Sequence, residues 1–336
     1  MFNSPALDLI QNKLSKIPQN NYPVNSRIHP LSSFSNSSEI CPYIKRDDEL
    51  GFGISGIKFR KYRTLIPFLL QEGCIEAIVI GGAFSNHVLS ITQLLLENGI
   101  KPTLFLKGPA PLQKKGNFLF LQMLVPNNSI HWVPKDNWSE IDHLVAAYAS
   151  SKEKVIIIPE GAPFFQGFLG ALTLPLDIIR NESEMGLSFD HLFLDVGTGF
   201  SAAALLLAFA FLQKSTTCHC LLIAGTEDDF LKQLKRLHGE FEKWLGVNFP
   251  FPTQFNCLGS PIAPSFGSTN RELFDFIIQT SRKEGFFLDP IYSGKVFHRA
   301  KQMMDSNQIQ GNVLLIHSGG ALTLAGFQEN IAKSLV

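Results

Sequence analysis

Short apolar runs alternate with helix-patterned segments along most of the chain, and that alternation restricts the possible folds more than any other feature. Strand-like runs occupy Ala77–Ile80, Pro102–Leu106, Val155–Ile158, His191–Val196, Cys220–Ala224 and Val313–Ile316. Most are bounded by Gly or Pro and are apolar without strict in–out alternation, the pattern of strands covered on both faces. Tyr62, Leu65, Ile66 and Leu69 follow the i, i+3, i+4, i+7 rule, with Gly73 placed to end that helix. Ser85-Asn86 is placed to cap a second helix, running through Val88, Ile91 and Leu95 to Gly99. Further helices are expected over Ser139–Ser150, Gly199–Gln213, Glu227–Trp244, Asn270–Glu284 and Ser293–Met304. Such alternation makes an α/β protein with largely parallel sheet.

At 336 residues the chain is long enough for two domains sharing an extensive core. Its 29 basic and 29 acidic side chains cancel, which removes the electrostatic case for nucleic acid or an anionic membrane and leaves a small molecule as the expected partner. No basic start followed by a long apolar run opens the chain, so no signal peptide is expected. The apolar stretch Leu192–Leu212 is interrupted by Asp195 and the Gly197-Thr198-Gly199 turn, and reads as a strand feeding a buried helix instead of a membrane span. A soluble, cytoplasmic protein is the expectation. Cys41, Cys74, Cys218, Cys220 and Cys257 are scattered, and Cys218-His219-Cys220 has the spacing of neither a zinc knuckle nor a redox pair. The thiols are expected to be incidental, and no metal site is expected.

Parallel α/β sheets bind ligands beyond the carboxyl ends of their strands, and four clusters fall there. In Gly53-Ile54-Ser55-Gly56-Ile57-Lys58-Phe59-Arg60-Lys61, neighbouring cations favour loss of the Lys58 proton, as covalent use of a lysine requires; taken alone, this cluster reads more readily as a solvated basic helix face. In Gly81-Gly82-Ala83-Phe84-Ser85-Asn86-His87, free helix-start amides with Ser85 and Asn86 suit a carboxylate or phosphate, or simply form a cap. Asp195-Val196-Gly197-Thr198-Gly199-Phe200-Ser201-Ala202 can hold a phosphate on its turn, and also satisfies the loose GxGxxA pattern of dinucleotide folds. The last pair is Leu288 to Lys295 and His317-Ser318-Gly319-Gly320. There Tyr292 is a candidate acid–base group, and Ser318 can hydrogen-bond a ring nitrogen.

Taken together and in order, these clusters resemble the family of 1-aminocyclopropane-1-carboxylate deaminases and D-cysteine desulfhydrases. The matching segments are Lys45-Arg46-Asp47, Ser55 to Lys61, Gly81 to Asn86, Pro159-Glu160-Gly161-Ala162, Gly197 to Ser201, Leu288 to Lys295 and His317 to Gly320. The resemblance implies the tryptophan-synthase-β-like fold (fold type II) of pyridoxal 5'-phosphate (PLP) enzymes. A large domain would comprise residues 1–60 and 166–336, with a smaller α/β domain, 61–165, inserted in it. It also implies PLP carried by Lys58, phosphate held by Gly197, Thr198, Gly199 and Ser201, and Ser318 at the cofactor ring. Asn86 would meet cofactor or substrate; Ser85, His87, Tyr292 and Ser293 would face a small amino-acid substrate, with Lys58, Ser85 and Tyr292 catalytic. A homodimer is the family habit.

Two positions divide that family. Ring-opening deaminases carry Glu after the tyrosine and Leu in the H-x-GG motif, whereas this chain has Ser293 and Ser318, as the desulfhydrase branch has Ser or Thr. A carboxylate beside a pyridine nitrogen keeps it protonated, while a hydroxyl tolerates a neutral one. α,β-Elimination of the D-cysteine desulfhydrase type, giving a 2-oxo acid and ammonia, is therefore favoured over ring opening. Departures from the family pattern are Ile57 for Asn, Phe200 for the third loop glycine, Ala162 for Gly, and Phe266 for a catalytic-face tyrosine. Phe266 has no proton to give. Two alternatives stay open: a non-catalytic PLP or amino-acid binding protein, and an NAD-dependent oxidoreductase with Glu227 ending the next strand as its ribose ligand.

Overall fold

The computed structural model describes residues 4–51 and 56–335. Its strands are β1 (Ile28–Pro30), β2 (Ile40–Lys45), β3 (Glu76–Gly82), β4 (Lys101–Lys107), β5 (Ile130–Val133), β6 (Val155–Ile158), β7 (His191–Val196), β8 (Thr217–Leu222), β9 (Phe255–Leu258) and β10 (Gly311–Ile316). They form two sheets, ordered β1-β2-β10-β7-β8-β9 and β5-β4-β3-β6. Only the β1–β2 pairing is antiparallel among the described residues. The mixed α/β architecture with largely parallel sheets is the one its strand–helix alternation predicts.

Side-chain alternation explains why the strands read as continuously apolar. Leu192, Leu194, Leu314 and Ile316 pack into one core with the buried helix Phe200–Phe211. Phe193, Val313 and Leu315 point the other way, into a second core with Val296, Phe297 and Ala300. Each strand of the large sheet thus buries both faces, which period-2 geometry allows only when helices cover both sides. In the small sheet, Ala77, Val79, Leu104 and Leu106 face helices Lys58–Gln71 and Asn86–Glu97. Ile78, Ile80 and Phe105 face Val145 of helix Ile141–Ala149.

Several elements differ from the sequence expectation. β8 begins and ends earlier than Cys220–Ala224, because the amides of Ile223 and Ala224 turn to the carbonyl of Val196 as the chain leaves the sheet. β2, interrupted by Pro42, and the short strands β1, β5 and β9 carry too few apolar residues to stand out. The expected helix Ser139–Ser150 is a 3₁₀ segment, Lys135–Glu140, followed by Ile141–Ala149. Helices Gly116–Leu124, Phe165–Ala171 and Thr173–Met185 were not expected. Glu227 does not end a strand. It opens helix Glu227–Leu245, whose Thr226–Asp229 capping box sets the start. No helix among the described residues is long and apolar enough to cross a membrane.

A buried ion network joins β2, the turn after it and two helices. Arg60, on helix Lys58–Gln71, donates to Asp47 at 2.7 Å and to Asp177, of helix Thr173–Met185, at 2.8 Å. Lys45, the last residue of β2, reaches Asp177 at 2.5 Å and Asn181 at 2.8 Å. Ser26 adds a hydroxyl to Asp47 and its amide to Asp177. All four charged side chains are essentially without exposed surface. Removing one partner from such a pair strands a charge in the core, at a cost of about 3–5 kcal/mol. Asp177→Ala is therefore expected to lose stability of that order in urea unfolding, whereas Glu49→Ala, at the exposed Arg27 pair, should stay within about 1 kcal/mol. A similar small loss for both would show that the network does not hold these elements together.

Candidate active site

The start of helix Lys58–Gln71 is fixed by a backbone crossing. Ile57 donates its amide to the Ser318 carbonyl at 3.0 Å. Gly56 has φ +47°, and a Cβ there would stand 2.3 Å from the Ser318 oxygen and 2.8 Å from Gly319 Cα. Only glycine fits so close an approach at that φ. The crossing sets Lys58 beside the carboxyl end of β10, with its Nζ 5.8 Å from the centre of the Tyr292 ring. Burial pushes the Lys58 ammonium below its ordinary range, and Asp195 and Asp289 partly oppose this. Gly53, Ile54 and Ser55 of the same cluster lie outside the described residues.

Lys61 follows almost one turn later and is buried as well. It donates to the Gly161 carbonyl, and its ammonium lies 5.8 Å from the centre of the Phe200 ring. Burial, and then the neighbouring Lys58 charge, bring it down to about 7. From sequence Lys61 reads only as a cation neighbouring Lys58. Its signal was the i, i+3 spacing from Lys58.

The turn after β7 carries Gly197, Thr198, Gly199 and Ser201 to the start of helix Phe200–Phe211. Gly199, at φ +81°, would with a Cβ meet Gln233 and Phe230 at 2.8 Å. Gln233 in turn donates to the Thr198 carbonyl. The Thr198 side chain covers Gly161, where a Cβ would lie 2.2 Å away. Phe200, at the place of a family glycine, is the first helical residue and buries its ring in the core. It therefore needs no left-handed backbone, and the loop keeps its shape without the glycine.

Across the site Ser85 caps helix Asn86–Glu97, accepting from the amides of His87 and Val88 at 3.2 and 3.4 Å. Asn86 accepts from Asn117 at 2.6 Å and from Thr323 at 3.0 Å, so its carboxamide oxygen is anchored. Its NH₂ lies toward Gly320, where a Cβ would be 3.1 Å from it and 3.4 Å from the Asp289 carboxyl carbon. Asn117 and Thr323 carry no sequence signal, since their partners lie far along the chain. His87 faces Tyr62, with Nδ1 2.8 Å from the phenol oxygen. Burial, followed by the Lys61 and Lys58 charges, keeps its imidazole neutral.

The remaining side comes from the segment after Leu288 and from the end of β10. Burial, reinforced by Asp195 and Asp289, raises the Tyr292 phenol, which stays protonated. Phe266 meets the Tyr292 ring edge-on at 6.3 Å and is 61% exposed, an apolar surface at the place of the family phenol. Ser293 has no exposed surface. Its hydroxyl donates to Asp289 at 2.6 Å and accepts the Asp289 amide at 2.8 Å, so both of its hydrogen bonds are spent locally. Ser318, buried, follows the end of β10 by two residues. A surface depression lined by Asp190, His191 and Gly311 lies at the opposite, amino ends of β7 and β10, away from the ligand side of a parallel sheet.

Comparison with known proteins agrees with this arrangement. The family model described as pyridoxal-phosphate dependent enzyme matches residues 22–319. A Pyrococcus abyssi protein named "Putative 1-aminocyclopropane-1-carboxylate deaminase" is 26% identical over 336 residues, covering 99% of each chain. A D-cysteine desulfhydrase of Serratia proteamaculans is 23% identical, covering 96% of this chain and 99% of its own. Among solved structures, an ACC deaminase homologue superposes with a TM-score of 0.83 at 23% identity, covering 98% of this chain and 99% of that one. A tomato (Solanum lycopersicum) threonine deaminase gives 0.66 at 14% identity, covering 99% and 95%.

The residues fit such a cofactor. A lysine with depressed proton affinity stands between a glycine turn at a helix amino end, suited to a phosphate, and a serine hydroxyl, suited to a ring nitrogen. Space exists for it: a Cβ on Gly82 would touch nothing within 4 Å, and one on Gly197 would come no nearer than 3.5 Å to Tyr292. The depressed Lys61 also gives a pH signature in the cofactor-free protein. Between about 7 and the ordinary lysine value of about 10.4, the unfolded chain holds a proton that the folded one has released, so stability rises with pH. The stability gap between wild type and Lys61→Met, measured by urea unfolding, should change in favour of wild type from pH 7 to 9, by at most about 1.4 kcal/mol per unit. A gap constant with pH would contradict this.

Proposed function

Because the chain belongs to the family of pyridoxal-phosphate-dependent enzymes, we propose that Lys58 carries the cofactor and that the enzyme eliminates the β-substituent of a small amino acid, with D-cysteine the leading substrate. PLP supplies the electron sink that stabilises negative charge at the substrate α-carbon. The protein supplies orientation and proton transfer, and its residues divide that work. Gly197, Thr198, Gly199 and Ser201 would hold the phosphate, and the NH₂ of the anchored Asn86 would bond the cofactor or the substrate carboxylate. Ser85, whose oxygen already accepts two amides, keeps its hydroxyl proton for that carboxylate. Lys58 would move the proton at the substrate α-carbon. Tyr292 remains protonated and can donate to a departing β-substituent. Ser293 contributes through Asp289, which it fixes, more than by direct contact. His87 backs the site through Tyr62.

The observation that carries the reading is the convergence of a desolvated lysine with Asn86, Tyr292, Ser318 and the Gly197 turn at one end of both sheets. Ser293 and Ser318, in place of Glu and Leu, favour the desulfhydrase branch over ring opening. The dinucleotide alternative loses its acidic ligand, since Glu227 stands on the exposed first turn of a helix. We propose with this reading the division into residues 1–60 with 166–336 and residues 61–165, supported by the two sheets, and assembly as a homodimer.

With D-cysteine the wild-type holoenzyme should release pyruvate, hydrogen sulfide and ammonia in equal amounts. Lys58→Ala should lower that rate by about a thousandfold or more, on the scale of losing a positioned proton-transfer group. Full turnover by Lys58→Ala would overturn the assignment. Turnover of 1-aminocyclopropane-1-carboxylate in place of D-cysteine would keep the lysine and replace the branch.

A further inference from the structure

A carboxamide turned one way offers a ligand two N–H donors, and turned the other way an oxygen. At Asn86 the surrounding hydrogen bonds decide between the two. Asn117, the second residue of helix Gly116–Leu124, donates to the Phe84 carbonyl at 3.0 Å and to Asn86 Oδ1 at 2.6 Å. A main-chain carbonyl can only accept, so Asn117 must turn its NH₂ to Phe84, and the same NH₂ then faces Asn86. That leaves Asn86 one orientation, with its oxygen toward Asn117. Thr323 adds its hydroxyl to this oxygen at 3.0 Å. All three side chains are buried. Asn117 Oδ1 has no hydrogen-bond partner among the described residues, so this carboxamide is held entirely through its NH₂.

One backbone crossing brings both donors to Asn86. Gly116 precedes Asn117, and Gly326 ends the 3₁₀ segment Ala321–Gly326 that carries Thr323. A Cβ on Gly116, at φ +53°, would stand 3.0 Å from Gly326 Cα, so glycine alone suits the approach. Helix Gly116–Leu124 follows β4 of the four-stranded sheet, and Ala321–Gly326 follows β10 of the six-stranded one. Asn86 is thus held by segments from both sheets. Its own NH₂ donates to no acceptor among the described residues. Asp289, the carboxylate across Gly320 from it, spends Oδ1 on the amides of Ile291 and Tyr292, and Oδ2 on the amide and hydroxyl of Ser293. Gly320, at φ +88°, puts no side chain between the two groups.

We propose that Asn117 and Thr323 are positioning residues that fix Asn86 as a donor only, and so commit this side of the site to an anionic oxygen. The inference rests on the reading that Asn86 meets the cofactor or the substrate, and adds what sets the chemistry of that meeting. Two ligand oxygens share this chemistry, the phenolic oxygen of PLP and the substrate carboxylate. An N–H given to a charged oxygen makes a stronger bond than one given to a neutral oxygen, and favours the deprotonated form. With Asn117 made apolar, Asn86 is free to turn its own oxygen toward the ligand, where it repels an anion. Loss of the Thr323 hydroxyl alone leaves Asn117 in place, so its effect is in the same direction and smaller.

The test compares the PLP-loaded wild type with Asn117→Leu, Thr323→Val and Thr323→Ser. Its two readouts are the pH midpoint of the bound cofactor's visible band, and KM and kcat for D-cysteine. If the oxygen is the cofactor's, the midpoint should rise by about one unit in Asn117→Leu while KM stays. If it is the substrate carboxylate, KM should rise about tenfold with kcat and midpoint near wild type. Either result supports the proposal, with Thr323→Val shifted less and Thr323→Ser matching wild type. A merely structural role would lower stability in urea and leave both readouts unmoved in the folded variants, which would overturn the proposal. Should Asn117→Leu not fold, Thr323→Val with wild-type midpoint and KM overturns it alone. If wild type binds PLP but ignores D-cysteine, the substrate falls and the midpoint alone decides the inference. Failure of wild type to bind PLP would remove the reading of the site, and the inference with it.

Discussion

Arg60 carries its charge with no exposed surface because Asp47 and Asp177 meet its guanidinium from two directions while Lys45 shares Asp177. That arrangement orders more than its own residues. β2 ends at Lys45, Asp47 opens the short turn after it, Asp177 lies on a helix packed against the large sheet, and Arg60 sits two residues beyond Lys58. Charges left unmatched in such a place are far costlier than a misplaced methyl group. The network therefore admits essentially one position for the first turn of helix Lys58–Gln71. From the opposite side the Gly56–Gly319 crossing closes the same turn against the end of β10. Lys58 is thus located by constraints that it takes no part in.

The same first turn explains how two lysines of lowered proton affinity come to stand beside each other. Burial lowers the proton affinity of both Lys58 and Lys61, and the Lys58 charge lowers that of Lys61 further. A site that accepts a phosphate and forms a covalent bond through an amine uses both properties, since the anion rewards one cation and the bond requires a free amine on the other. Carboxylates balance the opposite end. Asp195 and Asp289 raise the Tyr292 phenol and temper the loss of proton from Lys58. The apolar departures lie at the margin of this arrangement. Phe200 turns into the core, and Phe266 stands exposed against the edge of Tyr292.

Local pattern revealed a good part of this. Doubly buried strands such as β3, β4, β7 and β10 are legible because their central residues are mostly apolar, and Ser85 is legible as a cap because the capping interaction spans two or three residues. Lys58, Asn86 and Ser318 stood out through motif order. What stayed hidden depends on partners far along the chain. Asn117 and Thr323 hold Asn86 from 31 and 237 residues away, and nothing near either of them announces it. Ser293 illustrates the converse, a motif residue whose hydroxyl the fold directs to Asp289. β8 shows that an apolar run fixes the existence of a strand better than its ends, since Ile223 and Ala224 are apolar yet bond around the corner to Val196.

The covalent attachment point is the claim from which the other roles take their meaning. It is tested by reducing the PLP-loaded wild-type protein with borohydride, digesting it, and locating the pyridoxyl-modified peptide by mass spectrometry. Modification confined to Lys58, in the peptide bounded by its neighbouring basic residues, is the predicted result. Modification of Lys61 or of any other lysine, with Lys58 unlabelled, would contradict the account, because the first turn would then present a different amine to the cofactor.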